Sequence, residues 1–432
     1  MTLKHAHTHI SAILISTTMR SVSLLMSANI FNAGIGLILS VLTLRYISPD
    51  ILGVIYPLIS ISMIINQFGD WGTSNSFIKL ASTHYSVNRD KAWSFFHAAL
   101  KIKLYLCLAV LLICVPLSSQ ISRWTFAHTK HSDLVTLIIF VTSLQILSSF
   151  TTSTLQIEGR FKTLSWVKIL PNLLKLTFLA LIIFLGHITL INVLIGFLIV
   201  PVMSFLISIP FTDLKKIFNH DAKKEDFHEL IKVSRWIALS AIANAFLNQM
   251  DILMMTSMGG NEELVRLLGG QRLAGIFPIL SMSLVTVLLP KVSSMVSKAE
   301  LNFYYRKTFL ITTVFCLFLL CFLPLSKWII PFILGSKYTS SIDVFNLLMI
   351  ANLLGIMITP LSLVLYKLNK EPIFVLMNVA QLIITIIGNW ILIPIYGAYA
   401  SAIMVILCKI IAFLFVYYQL WKEGILFYHH EK

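Results

Sequence analysis

The chain has 432 residues, of which 57% are apolar and only 12% are charged, and its mean hydropathy is +0.87. An ordinary soluble domain carries about 25% charged residues, so this composition excludes a water-soluble globular protein and predicts one embedded in lipid. The formal charge of +15 does not indicate nucleic-acid binding, because the basic residues lie mainly in alternate loops between apolar runs.

Twelve apolar stretches are long enough to cross a membrane as helices, which takes about twenty residues each. No stretch has the alternating pattern of a membrane β-barrel strand. The sequence therefore predicts an all-α integral membrane protein with twelve transmembrane helices. In chain order the predicted spans are residues 22–44, 52–78, 98–118, 134–156, 167–186, 188–211, 236–257, 266–290, 308–331, 341–366, 373–393 and 397–420.

The longest polar segment, residues 212–235, divides the spans into two groups of six. It is predicted to be a basic cytoplasmic linker between an N-terminal bundle, residues 1–211, and a C-terminal bundle, residues 236–432. Because six is an even number, both bundles enter the membrane from the same side and are predicted to be parallel repeats. Loops on the linker's side carry roughly four times as many Lys and Arg residues as the opposite loops, which predicts that both termini are cytoplasmic.

Polar side chains recur at intervals of three and four residues in spans one, two and seven, so each set lies on one helical face. Two explanations stay open. The faces line a hydrated cavity, or they hold helices together through hydrogen bonds. The cavity interpretation names as substrate-binding residues Asn29, Asn32, Asn66, Asn244 and Asn248.

Charged residues within the spans are rarer. Asp251 and Arg272 lie at similar distances from the short loop between spans seven and eight, so antiparallel packing is expected to bring them together as a clamp or a switch. Lys409 lies near the middle of span twelve, beyond easy reach of either membrane surface. Lys175 in span five either faces the cavity or extends to the cytoplasmic interface. The cavity interpretation adds Lys175, Arg272 and Lys409 to the substrate-binding residues.

Two further charges lie near predicted helix ends. Asp70, in the run FGDWG at residues 68–72, is placed at a helix end rather than at depth. Lys103 is predicted to be interfacial. Asp70 and Asp251 are the candidates for coupling transport to a proton or sodium gradient, because the sequence has no GxxxxGK[ST] phosphate loop for ATP. The five cysteines lie in apolar runs without zinc-site spacing, so no metal and no cofactor is predicted.

Five short motifs resemble, in order and spacing, the polysaccharide flippases of the Wzx type, within the multidrug/oligosaccharidyl-lipid/polysaccharide exporter superfamily. Residues 44–50, LRYISPD, followed by Gly53, are similar to the family's RYLGP…G turn. The others are DWG at residues 70–72, NQMD at 248–251, FILGSKY at 332–338 and PIYGAYA at 394–400. The run LGGQRLAG at residues 268–275 departs from the family's pattern.

The resemblance implies that spans one, two, seven and eight line the cavity. It also implies a substrate, an undecaprenyl-diphosphate-linked oligosaccharide moved from the cytoplasmic to the periplasmic leaflet of the inner membrane for O-antigen assembly. Membrane lipid, a polysaccharide polymerase and a chain-length regulator are the implied partners. Twelve spans argue against the fourteen-span branch that flips the peptidoglycan precursor.

Other functions stay open from the sequence. A membrane polymerase of the same oligosaccharides has many spans too, but the longest outer segment here, about residues 118–133, is small for glycosyl transfer. A small-molecule antiporter of the same superfamily shares the twelve spans and buried acids. The transporter interpretation, which makes the protein a non-enzyme, fits the mid-membrane charges better than a purely structural scaffold does.

Overall fold

The computed structural model describes residues 27–85, 87–295, 297–368 and 371–425, and within these ranges the chain is almost entirely helical and contains no β-strand. Eleven helical stretches of the described chain are long and apolar enough to cross a membrane, and the longest, Lys224–Met282, contains most of predicted spans seven and eight. The predicted all-α membrane fold is confirmed. The start of predicted span one, residues 22–26, lies outside the described residues.

The helices are numbered α1 to α17 in chain order. Their bounds are α1 Ser27–Tyr46, α2 Pro49–Asp70, α3 Thr73–Tyr85, α4 Arg89–Cys114, α5 Ser118–Phe126, α6 Ser132–Ile157, α7 Phe161–Phe184, α8 Leu190–Ser208, α9 Leu214–Phe218, α10 Lys224–Met254, α11 Gly260–Ala274, α12 Ile276–Ser294, α13 Lys298–Leu320, α14 Ser326–Leu334, α15 Ile342–Lys367, α16 Glu371–Tyr396 and α17 Ala398–Lys422.

The chain forms two compact units. Of the described residues, the first unit contains those up to Tyr46 together with Ile61–Ile121 and Lys130–Ala238. The second unit contains Ile47–Ser60, Ser122–Thr129 and the described residues from Leu239 onward. The basic segment 212–235 therefore belongs to the first unit, where it forms α9 and the start of α10. It packs on α4, since Nδ1 of buried His97 lies 2.9 Å from the carbonyl oxygen of Ile217 and Nζ of Lys216 lies 4.5 Å from the Trp93 ring centroid.

Predicted span two is broken into α2 and α3 by Trp71 and Gly72, which have φ angles of 46° and 66°. A Cβ on Gly72 would lie only 2.8 Å from the backbone nitrogen of Ala238 and 2.9 Å from the carbonyl oxygen of Ser234. Glycine is the residue that tolerates both this dihedral angle and so close a backbone. The break leaves Asp70 as the last residue of α2, the helix-end position that the sequence predicts.

Span eight also differs from its prediction. A π-helical turn, Met255–Gly259, follows α10, and α11 already begins at Gly260, which has a φ angle of 78°. The helix then breaks at Gly275, between α11 and α12. Arg272 consequently lies more than three turns into α11, whereas Asp251 lies within one turn of the end of α10.

Candidate functional site

A cavity of about 440 Å³ lies within the second unit, among helices α10, α12, α15, α16 and α17. Asn244 and Asn248 reach it together from α10, because residues four apart share a helical face. Lys409 contributes the cavity's charge from α17. The remaining lining residues are Leu247, Val285, Gly355, Ile358, Thr359, Ser362, Leu363, Phe374, Met377, Asn378, Gln381 and Ala412. Of the predicted residues, this cavity thus unites Asn244, Asn248 and Lys409.

Lys409 is the positive centre of this cavity. Among the described residues no carboxylate lies within 4 Å of its ammonium group, since the four ion pairs found there involve other residues. Its stem passes the open backbone of Gly355, where a Cβ would lie 3.8 Å from Cε of Lys409. A half-buried ammonium without an anionic partner favours an anion in the adjacent space.

Asp251 lies beside this cavity without lining it. The side chain is 4% exposed, and its Oδ1 accepts a 2.7 Å hydrogen bond from Nδ2 of Asn389 on α16, which is fully buried. No described residue donates a hydrogen bond to the amide oxygen Oδ1 of Asn389. A carboxylate and an unused amide oxygen, both buried, are oxygen ligands of the kind that a small cation or a proton satisfies.

The expected pairing of Asp251 with Arg272 is wrong. The guanidinium of Arg272 instead lies over the ring of Tyr56, 4.6 Å from its centroid, within the same unit. The reason is the early start of α11, which places Arg272 much farther from the α10–α11 turn than Asp251. Arg272 does not line the cavity of the second unit.

The first unit has its own polar cavity, of about 370 Å³. Asn32 of α1 and Asn66 of α2 both line it, and Nδ2 of Asn172 donates a 3.3 Å hydrogen bond to Oδ1 of Asn32. The buried Oδ1 of Asn66 has no hydrogen-bond partner within the described part of the chain. The other lining residues are Gln145, Ser148, Ser149, Thr152, Val167, Lys168, Val200, Pro201 and Ser204.

Asp70 forms a buried ion pair with Lys103 of α4. Nζ of Lys103 also donates hydrogen bonds to Ser74, at 3.1 Å, and to Ser149, at 2.8 Å. The predicted interfacial position of Lys103 is therefore wrong. The long helix α4 begins at Arg89, so that Lys103 lies in its middle and faces α3 and α6 rather than water.

Three of the predicted substrate-binding residues line neither cavity, namely Arg272, Asn29 and Lys175. Asn29 is exposed on α1. The ammonium of Lys175 lies 3.5 Å from the ring centroid of Phe197, a cation–π contact between α7 and α8.

Several cavity residues were missed from the sequence. Asn172 lies about one turn and Lys168 about two turns before Lys175 in the same span. The four-residue spacing of Lys168 and Asn172 is a signal of a shared face. A second signal is the run of polar residues at intervals of three and four along α16, namely Asn378, Gln381, Thr385 and Asn389. This is the same pattern that identified the faces of spans one, two and seven.

Most of the chain is similar to a known protein family. A family model described as a polysaccharide biosynthesis protein matches residues 41–343. A search of curated protein sequences gives no significant match.

Solved structures share the fold over nearly the whole chain. A lipid II flippase, MurJ, in an inward closed conformation has a TM-score of 0.74 and 17% identity, covering 93% of this chain and 89% of its own. An inward-facing multidrug resistance MATE family transporter of the MOP superfamily has a TM-score of 0.72 and 12% identity, covering 94% of this chain and 98% of its own. A MOP superfamily transporter from Pyrococcus furiosus has a TM-score of 0.56 and 12% identity, with 94% of each chain covered. The resemblance predicted from the five motifs is confirmed, and these proteins are flippases and transporters rather than enzymes.

Proposed function

Because the chain belongs to the polysaccharide biosynthesis protein family and spans the membrane many times, we propose that it is a flippase. Its proposed substrate is an undecaprenyl-diphosphate-linked oligosaccharide, the repeat unit of an O-antigen. The protein moves this molecule from the cytoplasmic to the periplasmic leaflet of the inner membrane, and both of its termini lie in the cytoplasm. A polysaccharide polymerase and a chain-length regulator act on the product.

The observation that carries the proposal is the polar, cationic cavity of the second unit, which is built from membrane-spanning helices. A diphosphate bearing several sugars cannot shed its water and cross about 30 Å of hydrocarbon unaided. Hydrogen-bonding side chains along its path replace that water, while the polyprenyl tail remains in lipid.

The substrate's two polar parts match the two kinds of side chain in this cavity. Lys409 attracts the diphosphate, because it is the one charged side chain among the described residues that line the cavity. Asn244, Asn248, Asn378 and Gln381 supply amides that both donate to and accept from sugar hydroxyls. The cavity of the first unit, with Lys168 and the amides of Asn32, Asn66 and Asn172, offers the same combination.

Transport is driven by an ion gradient that acts through Asp251. Asp70 is the weaker candidate, since its carboxylate already has Lys103 as a cationic partner. Among the described residues, the hydrogen-bond partner of Asp251 is the neutral amide of Asn389. A buried carboxylate is stabilised when a proton or sodium ion neutralises it. Asp251 would take up the proton or sodium ion on one side of the membrane and release it on the other. The neutral and the charged carboxylate would then favour different conformations of the protein.

Lipid analysis of a strain that lacks the protein tests this function. We expect undecaprenyl-linked oligosaccharide to accumulate in the cytoplasmic leaflet and surface polysaccharide to disappear, and the intact gene to reverse both changes. Unchanged surface polysaccharide together with increased sensitivity to drugs would contradict the proposal and favour the small-molecule antiporter. Accumulation of single repeat units in the periplasmic leaflet would instead favour the polymerase.

A further inference from the structure

A third cavity, of about 470 Å³, lies at one end of the second unit, where the π-helical turn and the start of α11 meet the α16–α17 hairpin. It is separate from the cavity that contains Lys409, and the two have no lining residue in common. Under the proposed topology this end of the unit faces the periplasm. Its polar lining consists of Glu263, Arg266, Tyr396 and Tyr399.

Glu263 is the fixed centre of this cavity. Its Oε2 accepts a 2.7 Å hydrogen bond from the backbone nitrogen of Ala398, and its Oε1 lies 2.8 Å from Nη1 of Arg266. The hairpin approaches so closely that a Cβ on Gly397, where φ is 54°, would overlap the Glu263 carboxylate. The backbone of Ala398 therefore fixes the Glu263 carboxylate, and the ion pair holds the Arg266 guanidinium beside it.

Two tyrosines complete the cavity. The Arg266 guanidinium lies 5.8 Å from the ring centroid of Tyr399, whose hydroxyl donates a 3.3 Å hydrogen bond to Oδ2 of Asp343. Tyr396 is 56% exposed and belongs to the same lining. The Tyr399 ring is thus held in place, and the Tyr396 ring is open to a ligand.

We propose that this cavity binds a sugar residue of the translocated glycan at the exit side of the protein, an inference that rests on the proposed flippase function. A sugar hydroxyl can donate to Glu263 and accept from Arg266 at once, because it carries both a proton and lone pairs. The apolar C–H face of a sugar ring fits the exposed face of Tyr396, an aromatic side chain with one apolar and one polar part. The volume lies within the range of about 300–1,000 Å³ typical of small-molecule sites.

The charges select against an anionic ligand. Two carboxylates, Glu263 and nearby Asp343, outnumber the one guanidinium of Arg266, so a lipid phosphate is repelled. An uncharged sugar meets no such repulsion and can bond to the carboxylate and the guanidinium together. Such a site holds the glycan in the periplasm while the diphosphate still occupies the Lys409 cavity, and so opposes its return.

Photocrosslinking tests the proposal in cells that make the lipid-linked oligosaccharide. A benzophenone amino acid replaces Tyr396 at the new site, Asn248 in the Lys409 cavity, or Trp390, an exposed aromatic residue of α16 outside both cavities. Each variant is first shown to be present in the membrane in the same amount as the unmodified protein. After irradiation, the purified protein is probed for attached glycan. We expect glycan-bearing adducts at positions 396 and 248 and none at position 390.

The outcomes separate the two proposals. Glycan adducts at position 248 without any at 396, equal labelling at 396 and 390, or lipid adducts without glycan at 396 each overturn the exit-side site alone. The absence of glycan from both 248 and 396 contradicts the flippase function as well. In an Arg266→Lys background, which keeps the charge but changes the donor geometry, the adduct at 396 is expected to decrease while the adduct at 248 persists.

Discussion

Asp251 on α10 and Asn389 on α16 share a 2.7 Å hydrogen bond in the interior of the second unit, with both side chains almost completely buried. No described residue supplies a basic partner to this carboxylate within 4 Å. Replacing the Asp251 carboxylate by an amide therefore removes a buried charge and keeps the shape of the side chain.

Asp251→Asn is therefore expected to abolish ion-coupled transport while the protein still folds. The substitution keeps the size of the side chain and its ability to bond to Asn389, but it removes the charge that a proton or sodium ion would neutralise. The measurements are surface polysaccharide per cell and protein per membrane. The matched control is Asp50→Asn, since Asp50 is an exposed carboxylate of the same unit that lines none of the cavities described above. Full transport by Asp251→Asn would disprove the coupling role.

Lys409→Ala is expected to lower transport by at least about tenfold, the effect of losing about 1.4 kcal/mol of attraction for the diphosphate. Lys409→Arg keeps the charge and should retain part of the activity. Lys422→Ala, at the exposed end of the same helix, should leave surface polysaccharide unchanged. Equal surface polysaccharide in cells with Lys409→Ala and with Lys422→Ala would show that transport of the diphosphate headgroup does not depend on the Lys409 ammonium.

Asp70→Asn is expected to destabilise the first unit, because it leaves Lys103 buried without its counter-charge. Breaking one side of a buried ion pair typically costs about 3–5 kcal/mol. The double variant Asp70→Asn/Lys103→Met should recover much of the loss, since neither charge remains. Thermal unfolding of the purified protein in detergent measures these changes, with Lys101→Ala as the control on the same helix. Equal melting temperatures for Asp70→Asn and the unmodified protein would show that the pair contributes little.

Gly72→Ala is expected to destabilise the junction of α2 and α3 by more than the roughly 1–3 kcal/mol of a strained left-handed residue. The added Cβ must also displace the backbone of Ser234 and Ala238. Gly34→Ala on α1 is the matched control, because nothing lies within 4 Å of its Cβ position and alanine favours the helix. Comparable melting temperatures of the two variants would contradict the close approach at Gly72.

Composition and apolar run length were sufficient to predict the all-helical membrane fold, because lipid permits few alternatives to a helix. The helix breaks were less accessible. The DWG run, residues 70–72, suggested a helix end, but the close approach of Gly72 to Ala238 depends on tertiary packing. The π-helical turn after α10 left no clear mark in the sequence, and missing it led to the wrong pairing of Asp251 with Arg272.

The candidate site was predictable where polar residues repeat along a helical face. This pattern found Asn32, Asn66, Asn244 and Asn248, each of which lines a cavity. Applied to α16 it would also have found Asn378 and Gln381. Partner choice was harder, because Lys103 and Lys175 look alike in sequence, yet one bonds to a carboxylate and the other lies over an aromatic ring.

The cavity that contains Lys409 is expected to hold water during transport, and labelling of a thiol at position 248 measures whether it does. Asn248→Cys and Ile387→Cys are placed singly in a protein without its five native cysteines, Ile387 being an exposed residue of α16 outside the cavity. In intact, transporting membranes we expect a water-soluble thiol reagent to modify Cys at position 248 and not at 387, and to block polysaccharide export. An unreactive thiol at position 248, in a variant that still exports polysaccharide, would show that this cavity does not fill with water.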